Sequence, residues 1–270
     1  MAEPALVYEK KDGVAVLRMN RPDVRNAMNA EMFCRLADAW QDVNDDGDVR
    51  CAILTGTGDE AFCAGGDLDG FIPMMMGVKP PKDEWDQRVK DDFDIIFRGL
   101  LRSYDVFKPI IAAVNGHSYA GGTEILQVTD IRVVADDARL AISEVKRSLF
   151  PMGGSTARLV RQIPWAVAME ILLTGEPITA QEALRVGLVN KVVPRGQVMA
   201  EALRYAQILA ENGPLAVQAV KQSVLAGSGL SIKEALAKEM ELGIPVSSTE
   251  DAREGPRAFK EKRKPVYKGR

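Results

Sequence analysis

Apolar residues along this chain fall into two rhythms. Short, largely apolar runs at Val14 to Met19, Cys51 to Thr55, Pro109 to Val114, Ile131 to Ala135, Leu140 to Ile142 and Leu188 to Val193 predict strands, the run Pro109 to Val114 having no polar face. Between them the spacing turns helical. Asn29, followed by Met32, Phe33, Leu36 and Trp40, predicts a capped amphipathic helix, and Trp85 to Tyr104 predicts a second. Leu68 to Asp83 shows no regular period and ends in a Pro-Pro break. Thr156 to Ile163 and Trp165 to Leu173 read as helices divided by Pro164, and Thr179 to Val186 as a helix closed by Gly187. From Gln197 onward every pattern is helical: Val198 to Glu211, Leu215 to Leu225, Ile232 to Leu242 and Glu250 to Lys262. Strand and helix alternation predicts an α/β fold, with a core over residues 1–195 and a helical region over 196–270.

Composition narrows the function. The 270 residues suffice for one large domain or a domain with an appendage, and 35 basic against 38 acidic residues provide no general field for nucleic acid. Three cysteines, Cys34, Cys51 and Cys63, lie in apolar surroundings without CxxC spacing, which argues against a zinc site or disulfide framework and for a reducing, cytoplasmic setting. No apolar stretch approaches membrane-spanning length, and the first residues lack a basic region followed by an apolar run.

Candidate chemistry concentrates in two segments. In Lys108 to Glu124, KPIIAAVNGHSYAGGTE, a buried strand breaks at Asn115-Gly116, and Gly121-Gly122 opens a helical pattern with Ile125, Leu126 and Val128. A helix starting at Gly121 leaves backbone N–H groups unpaired, with partial positive charge and no Cβ in the way. Glu124, three residues on, shares that face, and its side chain leans back toward the helix start. It is the sole charged residue between Lys108 and Asp130. In Glu60 to Leu68, EAFCAGGDL, the glycines permit a tight loop whose amides face a ligand, Gly66 being the candidate second donor. His117 is the only histidine, so a multi-histidine metal site is excluded and no metal is expected. The methionines at 74 to 76 fit either a flexible acyl pocket or ordinary packing.

These two segments, with RLAISEVKRSLFPMGGSTARL, TGEPITAQEALRVGLVNKVV and EDAREGPRAFKEKRKPVYKGR in order behind them, resemble the enoyl-CoA hydratase (crotonase) family over nearly the whole chain. The resemblance implies a right-handed spiral of ββα units with a C-terminal helical trimerisation region, assembled as a homotrimer or a dimer of trimers. It places Glu144 at the second catalytic glutamate beside Glu124, with the amides of Gly66 and Gly121 as the oxyanion hole. By the same resemblance Arg25, Ala27, Ala64, Gly66, Asp67, Leu68, Phe259 and Lys262 are candidate CoA contacts, CoA entering as part of the substrate with no separate cofactor. Arg158, Arg161 and Lys264 are further candidates for its phosphates, and Gly153-Gly154-Ser155 is expected to open a helix near the site. Retention of both glutamates implies reversible hydration of a 2-enoyl-CoA. The alternatives are an isomerase or dehydratase acting on another acyl group, and a non-catalytic acyl-CoA-binding protein. One departure stands out: Ala141-Ile142-Ser143 precedes Glu144 where the family usually carries a proline.

Overall fold

A computed structural model describes residues 3–270. Ten strands are β1 (Leu6–Lys11), β2 (Val14–Met19), β3 (Cys51–Gly56), β4 (Ala61–Cys63), β5 (Ile110–Val114), β6 (His117–Tyr119), β7 (Ile131–Ala135), β8 (Arg139–Ala141), β9 (Ile178–Thr179) and β10 (Lys191–Val193). The helices are α1 (Ala30–Asp45), α2 (Phe71–Met75), α3 (Glu84–Asp91), α4 (Asp94–Gly99), α5 (Gly121–Leu126), α6 (Ser155–Gln162), α7 (Trp165–Thr174), α8 (Ala180–Arg185), α9 (Val198–Glu211), α10 (Pro214–Gly227), α11 (Ile232–Ser247) and α12 (Glu250–Lys260).

The strands form two sheets, ordered β1-β2-β3-β5-β7-β10 and β4-β6-β8-β9. Only the β1/β2 and β8/β9 pairs are antiparallel. The chain visits the sheets alternately: β3 then β4, β5 then β6, β7 then β8, each pair followed by helix. This is the predicted right-handed spiral of ββα units. Its inner strands are apolar on both faces because both faces are covered, as the wholly buried β3 and β5 show.

Several short elements differ from the sequence expectation. The β1 strand was not expected, since its outer half is polar and exposed; it forms by pairing with β2 across the Asp12-Gly13 turn. β4 and β6 have three residues each, too few to establish a period, and exist because they pair in parallel with each other. The helix expected over Trp85 to Tyr104 is two helices, α3 and α4, broken at Asp92 and Phe93, with the Asp92 side chain accepting from the Asp94 amide. The irregular stretch after Leu68 contains one short helix, α2.

Asn29 caps α1, its side chain accepting from the Met32 amide at 3.0 Å. Trp40, fully buried, donates its indole N–H to the Gly99 carbonyl at 3.1 Å and so joins α1 to α4. α9 sends Val198, Ala202 and Ala206 into the main core against β3, β5 and β7. α10 and α11 instead pair with each other, and α11 has no buried residue. No helix among the described residues is long and apolar enough to cross a membrane.

The loop before α1 is laced to the loop after β3. Asn26, completely buried, accepts from the Arg21 amide at 3.0 Å and donates to the carbonyls of Thr57 at 2.9 Å and Ala61 at 2.8 Å. Asn26→Ala removes the donor to both carbonyls and the acceptor for the Arg21 amide. It is expected to lower unfolding free energy by about 2 to 3 kcal/mol, read by chemical denaturation.

Candidate active site

The segment after β4 and the start of α5 meet where neither has a side chain in the way. A Cβ at Gly65 would lie 2.7 Å from the Ala120 Cβ and 3.3 Å from the Gly121 nitrogen, and one at Gly121 would lie 2.7 Å from the Met28 methyl. Glycine is required at Gly65, which stands at φ +94° with backbone atoms in the way, whereas at Gly121 the neighbour is the movable end of Met28. Ala120 itself is held at φ +51°, a conformation that alanine rarely adopts, while its amide is bound to the Ala141 carbonyl at 2.8 Å. This turn reverses the chain from β6 into α5. Among the described residues, the Gly66 and Gly121 amides have no protein acceptor. α5 has only six residues, so its macrodipole is short; the individual N–H donors carry more of the effect than the sequence reading assumed.

Arg25, Ala27, Ala64, Gly66 and Asp67 join this junction. The Ala64 amide donates to the Arg25 carbonyl at 3.0 Å, Met28 to Gly65 at 2.8 Å, and Asp67 to Met28 at 2.9 Å. The Arg25 side chain points away to Glu60, and the Arg21 guanidinium bridges the Ala27 carbonyl and the Asp67 carboxylate at 2.6 and 2.8 Å. Asp67 also accepts from the amides of Asp69 and Gly70. Burial acts to raise its carboxyl, and the bonds from Gly70 and Arg21 outweigh burial and hold it below the ordinary value. Its side chain is thus committed to the loop. Leu68 is exposed. Phe259, 85% exposed, and Lys262 sit at the end of α12 and in the turn after it, outside this junction.

Glu124 is buried to 4% exposure on α5. Its carboxylate is held from across the site: the Gly153 amide donates to one oxygen at 2.9 Å, and the Ser155 amide to the other at 3.2 Å. The expectation that it would lean on its own helix start missed these donors. The only sequence signal was the Gly-Gly-Ser run, and its reason is steric, since a Cβ at Gly153 would lie 2.7 Å from the Glu124 carboxylate. The same three residues do open α6, as expected.

Glu144 begins a one-turn 3-10 helix, Glu144–Arg147, separated from β8 by Ile142 and Ser143. The Leu149 amide closes this turn on the Glu144 carbonyl at 3.1 Å, and Ser148 ends it at φ +54°. Such contacts set the backbone without a preceding proline. One Glu144 carboxyl oxygen is buried with no hydrogen-bond partner. Burial pushes this carboxyl up to about 7, and the negative charge of Glu124 adds to the effect.

His117 and Ser118, adjacent in sequence, have separate partners. The His117 Nδ1 accepts from the Arg139 amide at 3.1 Å, while the buried Ser118 hydroxyl meets Thr123 at 3.2 Å. Arg158, a phosphate candidate by sequence, spends both terminal nitrogens on the carbonyls of Gly153 and Leu101, each at 2.9 Å. Arg161 lies on the surface, bonded to its own helix at Ala157. Of the three adjacent methionines, Met74 is buried in the core and Met76 exposed.

The Glu144 value predicts a pH-dependent stability. An unfolded Glu releases its proton near 4.5, whereas the folded protein keeps it up to about 7. Within that window the native state binds the extra proton, so stability falls as pH rises and the loss is complete above 7. Glu144→Gln, neutral at every pH, is expected to melt several degrees above wild type at about pH 8 and nearly with it at about pH 4. Scanning calorimetry at both values checks this.

A family model described as enoyl-CoA hydratase/isomerase matches residues 9–270. An enoyl-CoA hydratase of Mycobacterium tuberculosis is 46% identical over 267 residues, 99% of this chain and 97% of that protein. A carnitinyl-CoA dehydratase of Proteus mirabilis is 37% identical over 265 residues, 96% of this chain and 97% of that protein. The crystal structure of an enoyl-CoA hydratase from Mycobacterium marinum superposes with a TM-score of 0.88 at 36% identity, covering 99% of this chain and 100% of that one.

Proposed function

Since the chain belongs to the enoyl-CoA hydratase/isomerase family, an enzyme family acting on acyl-CoA, we propose that it adds water reversibly to a 2-enoyl-CoA thioester. The observation that carries this reading is a pair of differently prepared carboxyl groups beside two unpaired backbone donors. Glu124 accepts two amide hydrogen bonds and is prepared as a base. Glu144, with its buried unpartnered oxygen, holds a proton up to about neutrality and is prepared as an acid.

Hydration uses both. Glu124 takes a proton from water as its oxygen bonds to the β carbon, and the π electrons move onto the thioester oxygen. The Gly66 and Gly121 amides receive that enolate oxygen, a contribution of about 2.7 to 4 kcal/mol for each such donor. Collapse of the enolate draws the Glu144 proton to the α carbon. The proton gained by Glu124 returns to Glu144, and the pair is restored. No step calls for a metal or redox cofactor. Run backward, the sequence is a dehydration, as in the name of the Proteus relative, a carnitinyl-CoA dehydratase.

In this reading the loop from Arg25 to Met28 and the segment from Ala64 to Leu68 form the path for CoA, with Ala64, Gly66 and Ala27 offering backbone rather than side chains. Phe259 and Lys262 reach CoA from a neighbouring copy. That fits an assembly of three or six chains, supported by the exposed apolar series Val220 and Val224 on α10 and Ile232, Leu236, Met240 and Ile244 on α11. The buried, unpaired cysteines fit a cytoplasmic enzyme.

Loss of the conjugated-thioester absorbance of crotonyl-CoA and of a longer enoyl-CoA tests the chemistry. Glu124→Gln and Glu144→Gln are each expected to reduce kcat by about 10² to 10⁴ while KM changes little. Activity surviving Glu124→Gln but not Glu144→Gln would move the assignment to one-base isomerisation, and a wild type that binds without turnover would make this a binding protein. Light scattering is expected to give a mass of three or six chains. A monomer would remove the route for Phe259 and Lys262.

A further inference from the structure

The base in this site is held by a loop, and the loop is held by one cation. Gly153 donates to Glu124, and its own carbonyl accepts from Arg158 Nη1 at 2.9 Å. The second fork of the same guanidinium donates to the carbonyl of Leu101 at 2.9 Å. Leu101 is buried and stands at φ +53°, in the turn that follows α4. Arg158 thus ties α6 to two backbone segments at once, which the single point donor of a lysine would not do. Gly154 makes the contact possible: it sits at φ +116°, and a Cβ there would strike the guanidinium.

Arg158 is half-buried and has no carboxylate partner in ion-pair range among the described residues. The charges that act on it are Glu124 from α5, foremost, and Arg102 and Asp105 from the segment after α4. The charged groups acting on Glu144 across the site are Glu124 and Arg147. A cation placed behind the glycine peptide that donates to Glu124, without touching the carboxylate, leaves the carboxylate free to work.

We infer that Arg158 is the positioning residue of the catalytic base: it pins the Gly153 loop that aligns Glu124. This rests on the hydratase reading for its catalytic half and on geometry alone for its loop half. It also removes Arg158 from the groups that bind the phosphates of CoA.

Two measurements on the full-length protein test it with Arg158→Gln and Arg158→Lys. By hydrogen–deuterium exchange, the segment holding the Gly153 and Ser155 amides is expected to exchange at least about 10-fold faster in Arg158→Gln than in wild type. In crotonyl-CoA hydration, Arg158→Gln is expected to lose about 10² in kcat, with KM kept within about threefold. Arg158→Lys keeps the charge but not the fork, so it should recover only part of kcat. It also serves as the folded comparison if Arg158→Gln unfolds.

Unchanged exchange in both variants would overturn the loop half whatever the activity. A loosened loop with kcat unmoved would overturn the catalytic half, as would a raised KM with kcat kept, which would return Arg158 to substrate binding. A wild type inert toward every enoyl-CoA sinks the hydratase reading and the catalytic half with it, while exchange still decides the loop half.

Discussion

The structure turns on the cost of burying one carboxylate. Glu124 is removed from water, and an isolated charge so placed would take up a proton or unfold its surroundings. What makes its position tenable is a pair of backbone amides, from Gly153 and Ser155, that no side chain obstructs. Their supply demands that α6 begin here, that residue 153 lack a Cβ, and that the loop between be tied down. The spiral of strands serves the same end. β5 and β6 deliver α5, and β7 and β8 deliver Glu144 to the opposite side.

Two carboxyl groups of similar intrinsic acidity are given different surroundings. Glu124 is given donors, whereas one Glu144 oxygen is buried with none. Placing them near each other deepens the difference, because the charge on one discourages charge on the other. That arrangement carries a penalty in stability at neutral and higher pH. A protein selected for stability alone would not leave a buried oxygen unpaired in this way.

The unpaired amides of Gly66 and Gly121 are brought together by close approach rather than by a long helix. Gly65 lets two backbones touch, the strained Ala120 turns the chain beside it, and Met28 covers Gly121. The loop from Arg21 to Met28 that covers it depends on Asn26, whose side chain replaces the strand pairing that an irregular segment lacks. A loop built this way is stiff without being regular.

Much of this was legible in the chain itself. The strands at β2, β3, β5 and β7 announce themselves as apolar runs, the Asn29 cap and the helices from α6 onward by spacing and punctuation, and Glu124 by being a lone acid in an apolar segment. These are local signals, set by propensity and burial within a few residues. Glu144 was found only through resemblance, since its neighbours Val145, Lys146 and Arg147 are exposed and read as ordinary surface. The three-residue strands β4 and β6, the break between α3 and α4, the amides that hold Glu124 and the use of Arg158 were decided by tertiary structure. Each depends on which backbone group lies opposite, as Gly153 lies opposite Glu124 across 29 positions of sequence. No local pattern encodes that pairing, because a backbone amide is the same at every residue and only the fold selects its partner.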